Sequence, residues 1–178
     1  LSMCYKKIYD ERVGYFRAKD KAGNFRTTEG FNPSHHTKDY TEGTPWQYLW
    51  LVPHDVNGLI DMLGGKKKAE ARLDSLFLAD SKLNADANPD ISGLIGQYAH
   101  GNEPSHHTIY IYNYLGQPDK ASRRIHEVFQ TMYTDKPDGV CGNEDVGQMS
   151  AWYVMAAMGL YQVEPCGGIY QLSAPLAR

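Results

Sequence analysis

Three polar segments of the sequence carry acids, amides and histidines in patterns that could do chemistry. In the first, residues 39–50, Glu42 lies just before a predicted helix that places Trp46 and Trp50 on one face. An indole ring stacks on the apolar face of a pyranose, and a carboxylic acid whose pKa is raised by burial can protonate a leaving oxygen. A structural interpretation also fits, in which Glu42 favours the helix N-terminus and the tryptophans belong to the core.

The second segment, residues 97–107, reads Gln-Tyr-Ala-His-Gly-Asn-Glu-Pro-Ser-His-His. Asn102 and Glu103 offer hard oxygen donors next to a turn, which are ligands that Ca²⁺ takes. His106 and His107 would point about 100° apart on a helix, so the pair does not suit one shared transition metal ion. The two histidines therefore line a pocket or serve as hydrogen-bonded structural groups.

The third segment, residues 137–152, places Glu144 and Asp145 side by side at the start of a predicted helix. Acids are favoured there by the helix dipole, which is the structural interpretation. The functional interpretation is a general base or a metal ligand, and two like charges in one site raise one of the two pKa values. The tripeptide Gly-Asn-Glu occurs at 101–103 and again at 142–144, each time before a predicted helix.

Helices must form the scaffold that positions these segments. In the clearest helix, Ile125, Val128, Phe129 and Met132 repeat at a helical spacing, and Pro118 suits its first turn. The sequence predicts helices over 46–52, 55–63, 64–81, 105–115, 119–133 and 147–158, and one strand in the tail, 168–172. The polar segments 19–45, 82–104 and 134–147 are long for connections in a helical domain, and such loops tend to carry function.

Composition excludes several function classes. The chain has 178 residues, 18 Lys+Arg against 21 Asp+Glu, and a net charge of -3. This balance gives no electrostatic basis for binding nucleic acid or an anionic membrane. No apolar run approaches the length of a transmembrane helix, and no signal peptide is visible in a chain that starts at Leu1. Its three cysteines form no zinc-binding pattern.

Taken in order, the motifs resemble the catalytic domain of glycoside hydrolase family 92, the calcium-dependent exo-acting α-mannosidases. The resemblance runs from about residue 25 to the C-terminus. One departure is Thr44-Pro45, where the family pattern has smaller residues, although proline suits a first helical position. The motifs are Tyr-Thr-Glu-Gly at 40–43, Trp-Gln-Tyr at 46–48, Pro-His-Asp at 53–55, Gly-Asn-Glu-Pro-Ser-His-His at 101–107 and Gly-Asn-Glu-Asp-x-Gly-Gln-Met-Ser-Ala-Trp-Tyr at 142–153.

The resemblance implies a mainly α fold, an (α/α)6 toroid built from helical hairpins with long functional loops and a short β tail. In the family a β-sandwich precedes the toroid. We therefore expect residues 1–178 to be one incomplete catalytic domain, the C-terminal portion of the toroid without the sandwich. Helix faces left uncovered in such a portion could support self-association.

The resemblance also implies an inverting reaction that removes terminal α-linked mannose, with α-1,2 linkages as the expected specificity. Glu42 would be the general acid and Asp145 the water-activating base, assisted by Glu144. The acid and base carboxyls of an inverting enzyme lie about 6.5–9.5 Å apart. Asn102 and Glu103 would bind Ca²⁺, which contacts vicinal sugar hydroxyls and helps to distort the ring. The residues expected to line the sugar pocket are Trp46, Gln47, His106 and His107.

By resemblance, the partner is a mannose-containing glycan and the location is periplasmic or secreted. Three alternatives remain open. The chain could be a catalytically inactive fragment, a mannose-binding helical module, or an inverting glycosidase of another specificity. Carboxylic acids on separate loops argue against a pure binding module, since binding alone relies more on aromatic and amide groups.

Overall fold

The structure, a computed structural model, describes residues 2–176, and helices make up most of their regular structure. This confirms the prediction of a mainly α fold. Within that range lie six α-helices, with 3-10 helices at Ser2–Ile8, Glu103–Ser105 and Thr108–Tyr110. The α-helices are α1 (Pro45–Tyr48), α2 (Val56–Met62), α3 (Lys66–Leu78), α4 (Ile111–Tyr114), α5 (Pro118–Met132) and α6 (Gln148–Ala157).

Short antiparallel strand pairs close three of the loops in residues 2–176. The predicted tail strand is present as β6 and pairs with the segment that follows α6. The other strands are too short to show an alternating apolar pattern, and the sequence does not predict them. The pairs are β1 (Tyr9–Asp10) with β2 (Tyr15–Phe16), β3 (Leu94–Ile95) with β4 (Tyr98–Ala99), and β5 (Leu160–Tyr161) with β6 (Gln171–Leu172).

The long helices follow the periodicity of the sequence. Pro118 opens α5 at its first turn, where its missing N–H costs nothing. Ala121, Ile125 and Val128 form the buried stripe of that helix. Gly159, with a φ of 77°, follows α6 and allows the chain to turn back toward β5. The predicted bounds of α2, α5 and α6 hold to within one residue, whereas α3 is shorter at both ends than the prediction.

Two predicted helices are less regular than expected. The helix expected over 46–52 is only α1, because the chain turns at Leu49 toward Pro53 and a proline disfavours helical geometry in the residue before it. The helix expected over 105–115 is a succession of 3-10 turns that ends in α4. Residues 105–112 are all buried, so an apolar pattern could not distinguish the two helix types there.

Within residues 2–176 one hydrophobic core connects these elements, and it contains many of the aromatic side chains. Trp50 and Trp152 are almost completely buried in it. Tyr110 stacks on Tyr161 with ring centroids 4.3 Å apart and an angle of 7°. Consecutive helices are in contact, α2 with α3 and α4 with α5. Of the helices in residues 2–176, none combines the length and the apolar character that crossing a membrane requires.

Candidate active site

The loop that carries Glu42 is fixed by hydrogen bonds from both of its flanks. On one side, the Tyr48 hydroxyl accepts from the Thr41 N–H at 2.9 Å and donates to the Thr41 carbonyl oxygen at 2.8 Å. On the other side, the Thr44 hydroxyl accepts from the Trp46 N–H at 3.3 Å and caps α1. The acid itself is exposed at the head of this hydrogen-bonded loop.

Gln47 completes this cap. Its side-chain oxygen accepts from the Thr44 N–H at 2.7 Å, which makes a capping box. Its amide nitrogen donates to the Gln97 carbonyl oxygen at 2.5 Å. The buried Gln47 side chain therefore joins the first polar segment to the second, and its predicted contact with substrate stays a prediction.

Both predicted catalytic acids have a backbone in the left-handed region. The φ of Glu42 is 52° and that of Asp145 is 48°. Within residues 2–176 the other non-glycine residues in this region are Val146 and Cys166. Such a conformation costs about 1–2 kcal/mol for a residue with a side chain. Strain of this kind persists where the surrounding structure enforces it, and it concentrates at functional sites.

Asn102 belongs to the second polar segment and contacts Glu42 of the first directly. Its amide nitrogen is 3.2 Å from the backbone oxygen of Glu42 and 3.4 Å from its carboxylate oxygen Oε2. The Asn102 side chain is only 5% exposed, so this donor is oriented by the protein rather than by solvent. The contact ties residues that are 60 positions apart in the chain.

Glu103 brings Asp145 into the same cluster. Burial raises the pKa of the Glu103 carboxyl, and the neighbouring Asp145 carboxylate raises it further. The charge of Glu42 acts in the same direction. The carboxyl group of Glu103 therefore shares one electrostatic site with those of Glu42 and Asp145, the two predicted catalytic acids.

Close packing of two glycines places the loops that meet here. A Cβ atom added to Gly142 would lie 2.8 Å from the Cα of Gly101 and would collide with its carbonyl oxygen. A Cβ added to Gly101 would collide with the hydroxyl of Ser92. The two Gly-Asn-Glu segments thus touch at their glycines, where any side chain would push them apart.

Glu144 points toward the start of α6. Its carboxylate oxygen Oε1 accepts from the Ser150 N–H at 3.0 Å, and its backbone oxygen accepts from the Met149 N–H at 3.3 Å. These bonds satisfy free N–H groups at the helix N-terminus, as the structural interpretation expects. A role of Glu144 in assisting Asp145 stays a prediction.

Trp46 is half-buried beside the Glu42 loop. Its indole N–H donates to the Ser34 hydroxyl at 3.2 Å, and its ring packs edge-on against Tyr15 with centroids 5.4 Å apart. The Arg72 guanidinium lies 5.5 Å from the centroid of the indole ring. Trp50, by contrast, is buried in the core and faces no solvent. Stacking of a sugar on Trp46 stays a prediction.

His106 and His107 are both buried and bonded to the backbone. His107 Nε2 donates to the Trp50 carbonyl oxygen at 2.7 Å, and burial lowers the pKa of its imidazole. His106 Nε2 donates to the His100 carbonyl oxygen at 2.9 Å. These contacts match the structural alternative for the pair, and their predicted contact with substrate stays a prediction.

Sequence reasoning assigned no role to His100, Tyr133 or Gln148. His100 lies in a buried chain in which its Nδ1 is 2.9 Å from the Tyr98 hydroxyl and its Nε2 is 2.8 Å from the Tyr133 hydroxyl. The Tyr133 hydroxyl donates to the Met149 carbonyl oxygen at 3.1 Å. The signal available in the sequence was only that His100 lies within the second polar segment.

The predicted calcium ligands fit the ion in type but not in number. Asn102 and Glu103 present oxygen donors, which Ca²⁺ prefers, but the ion takes about six to eight of them. Among residues 2–176, no group of three or more histidine, cysteine, aspartate or glutamate side chains is arranged to hold a metal ion. These residues could therefore supply only part of a coordination shell.

Comparisons with known proteins identify the family of the chain. The model of the glycosyl hydrolase family 92 catalytic domain matches residues 1–178. A relative named "Uncharacterized secreted glycosidase" from Arthroderma benhamiae is 34% identical over 142 residues, which are 80% of this chain and 16% of the relative.

Solved structures of the family GH92 α-mannosidase BT3965 from Bacteroides thetaiotaomicron are also similar. The complex with mannoimidazole is 40% identical to this chain, with a TM-score of 0.84. The match covers 96% of this chain and 23% of the mannosidase chain. The other structure of the same enzyme is 41% identical, with a TM-score of 0.83. The match covers 96% of this chain and 22% of the mannosidase chain. The chain thus spans less than a quarter of these relatives, and it belongs to glycosyl hydrolase family 92.

Proposed function

We propose that this chain is the part of an (α/α)6 toroid that supplies the acid and base of an exo-acting α-mannosidase. The protein hydrolyses terminal α-linked mannose with inversion of configuration. The supporting observation is that Glu42 and Asp145 come from distant loops, both have left-handed backbones, and both act on the pKa of the same neighbour, Glu103. The α-mannosidases with 40% and 41% identity support the substrate class.

In this mechanism Glu42 protonates the leaving oxygen and Asp145 takes a proton from the attacking water. Both acids are exposed, so substrate can reach them, and hydrogen bonds hold the backbone beside each of them. An acid and a base at an inverting distance, about 6.5–9.5 Å between carboxyls, leave room for the water on the opposite side of the sugar. Glu144 holds the loop that carries Asp145 onto α6 and assists the base from there.

Calcium has a place in the same proposal. Asn102 and Glu103 would bind the ion with oxygen atoms, and Ca²⁺ would supply the positive charge that favours a distorted sugar ring. Burial and then the negative charges of Asp145 and Glu42 raise the pKa of the Glu103 carboxyl. A bound cation would offset that repulsion.

An isolated chain of residues 1–178 should bind sugar weakly and hydrolyse it poorly. Glu42, Asp145 and Val146 are all exposed, so one side of the cluster is open to water. Glycosidic chemistry relies on excluding solvent from the reacting charges. This observation favours the inactive-fragment alternative for the chain when it is studied alone, and the mannosidase proposal concerns the full-length protein that carries it.

The test is the stereochemistry of hydrolysis. The full-length protein that carries this sequence is incubated with α-1,2-, α-1,3- and α-1,6-mannobiose, and the first-formed mannose is followed by proton NMR. We expect β-mannose first, with the α-1,2-linked substrate cleaved fastest. First-formed α-mannose would contradict the inverting mechanism, and the absence of hydrolysis from all three would contradict the mannosidase assignment.

Location and partners follow from the same relatives. We place the protein outside the cytoplasm, periplasmic or secreted, as the name of the Arthroderma relative suggests. Its partner is a mannose-containing glycan. Self-association through exposed apolar side chains of α6, Val154 and the adjoining Met158, stays a prediction.

A further inference from the structure

His106 is buried between the segment that carries Glu103 and the helix that follows Asp145. Its backbone N–H donates to the Glu103 carbonyl oxygen at 3.0 Å. Its own carbonyl oxygen accepts from the Trp152 indole N–H in α6 at 3.1 Å. The imidazole Nδ1 lies 3.2 Å from the side-chain nitrogen of Gln148, the first residue of α6. The remaining ring nitrogen, Nε2, is bonded to the His100 carbonyl oxygen. Every polar atom of His106 therefore has a hydrogen-bond partner.

These partners fix the tautomer of the ring. A carbonyl oxygen can only accept, so the contact with His100 requires that Nε2 carries the proton. The side-chain nitrogen of Gln148 can only donate, so Nδ1 must be unprotonated. Burial lowers the pKa of the His106 imidazole to about 4, which keeps the ring neutral at neutral pH. Only the neutral Nε2–H tautomer satisfies both neighbours at once.

Gln148 continues the connection to the candidate base. Its backbone N–H donates to the Asp145 carbonyl oxygen at 3.2 Å, across the left-handed residues Asp145, Val146 and Gly147. Three hydrogen bonds thus lead from Glu103 through His106 and Gln148 to Asp145. They span the gap between the second and third polar segments, which lie 42 residues apart at the His106–Gln148 contact.

We propose that His106 is a positioning residue, which sets the place of Asp145 relative to Glu103 through its Nδ1 bond to Gln148. The proposal rests on the proposed mannosidase function, because positioning has kinetic meaning only if Asp145 acts in hydrolysis. A loop with two consecutive left-handed residues relaxes when its restraints are removed, and small displacements of a reacting group reduce catalysis strongly. His106 makes no contact with substrate in this assignment.

Two variants each keep one of the two hydrogen bonds that the His106 imidazole makes. In His106→Asn the side-chain oxygen takes the place of Nδ1 and still accepts from Gln148. In His106→Gln the side-chain nitrogen takes the place of Nε2 and still donates to His100. In the full-length protein, we expect His106→Gln to lower kcat about 10- to 100-fold with KM little changed, and His106→Asn to retain most of kcat. Gln148→Leu should reproduce His106→Gln, without a further loss in the double variant.

A structural control is Tyr112→Phe, which removes a hydroxyl that donates to Asp74 at 2.7 Å on the α3 and α5 side of the molecule. It should lower Tm and leave kcat unchanged. Equal losses of kcat in His106→Asn and His106→Gln would overturn the proposal, because both would then reflect damage to the fold. A raised KM with an unchanged kcat would also overturn it, since that pattern marks a contact with substrate.

NMR separates this proposal from the proposed function. With ¹⁵N-labelled histidine, the His106 ring should show the Nε2–H tautomer, and the Asp145 amide shift should move in His106→Gln and Gln148→Leu but not in His106→Asn. If the full-length protein cleaves no α-mannoside, the mannosidase function fails while these NMR shifts still decide the positioning. An Nδ1–H tautomer, or an Asp145 amide that ignores all three variants, refutes it.

Discussion

The backbone of Gly142 packs directly on the backbone of Gly101, with room for no side chain at either glycine. This contact joins the two Gly-Asn-Glu segments, and it explains how Asn102 and Glu103 come to lie beside the loop of Glu144 and Asp145. The position of the candidate base, Asp145, therefore depends on the close packing of these two backbones as much as on the neighbours of Asp145 itself.

Gly142→Ala should separate the two loops and reduce hydrolysis by the full-length protein about 100-fold, because the methyl group would displace the Asp145 loop. The measurement is kcat at a temperature well below Tm. Gly167→Ala is the matched control, since its nearest neighbour, at 3.2 Å, is the flexible Glu164 side chain. A Gly142→Ala protein as active as the control would show that the packing does not set the site.

Glu42→Gln and Asp145→Asn should each lower the rate on a mannobiose by about 10²- to 10⁴-fold, the usual contribution of a general acid or base. An aryl mannoside with a good leaving group needs no protonation, so it should restore activity to Glu42→Gln and not to Asp145→Asn. Glu11→Gln, at an exposed acid outside the cluster, serves as the control. Equal rescue of both variants would show that the acid and base assignments are wrong.

Calcium should raise the Tm of the full-length protein, and a chelator should reverse the effect. A ligand at 100 times its Kd stabilises by about 2.7 kcal/mol. Asn102→Ala and Glu103→Gln should reduce this calcium-dependent shift, because the first removes an amide oxygen and the second replaces a carboxylate by a neutral amide. Asn143→Ala removes the corresponding amide of the other Gly-Asn-Glu segment, which bonds to Asp90 at 3.2 Å, and should keep the shift. Unchanged shifts in all three variants would place the ion elsewhere.

Asp10 should make the fold sensitive to acid. Hydrogen bonds from Arg12 and from the buried Arg17 hold the pKa of the Asp10 carboxyl well below its ordinary value. The unfolded chain then binds more protons than the folded one below about pH 4, so the free energy of unfolding falls as the pH drops through that range and on toward the folded-state pKa. Urea unfolding of residues 1–178 at a series of pH values measures this slope.

Asp10→Asn tests the same group at neutral pH. It should cost about 3–5 kcal/mol, because it leaves the Arg17 guanidinium, 9% exposed, without its charge partner. Asp39→Asn breaks a pair with an exposed arginine, Arg26, and should cost less than about 1 kcal/mol. Similar losses in the two variants would show that burial of the Asp10 pair has no special weight.

Local patterns predicted the long helices well, since α5 and α6 have either an apolar stripe or clear start and stop residues. They also selected the polar segments in which Glu42, Asn102 and Asp145 lie. They failed in the 3-10 turns before α4, because polar residues such as His106, His107 and Thr108 are buried there together with apolar ones, so polarity does not follow burial. For His106 they left two interpretations open, because its residue type suits a pocket as well as a core.

The sequence by itself determined the family, the helical scaffold and the residue types available for chemistry, because motifs and periodicity are local properties of the chain. Only the tertiary structure decided which of those residues meet. Asn102 reaches Glu42 across 60 positions, and His106 faces Gln148 rather than solvent. Such contacts depend on packing between loops, down to the absence of a Cβ at Gly101 and Gly142, and no local pattern encodes the distance between them.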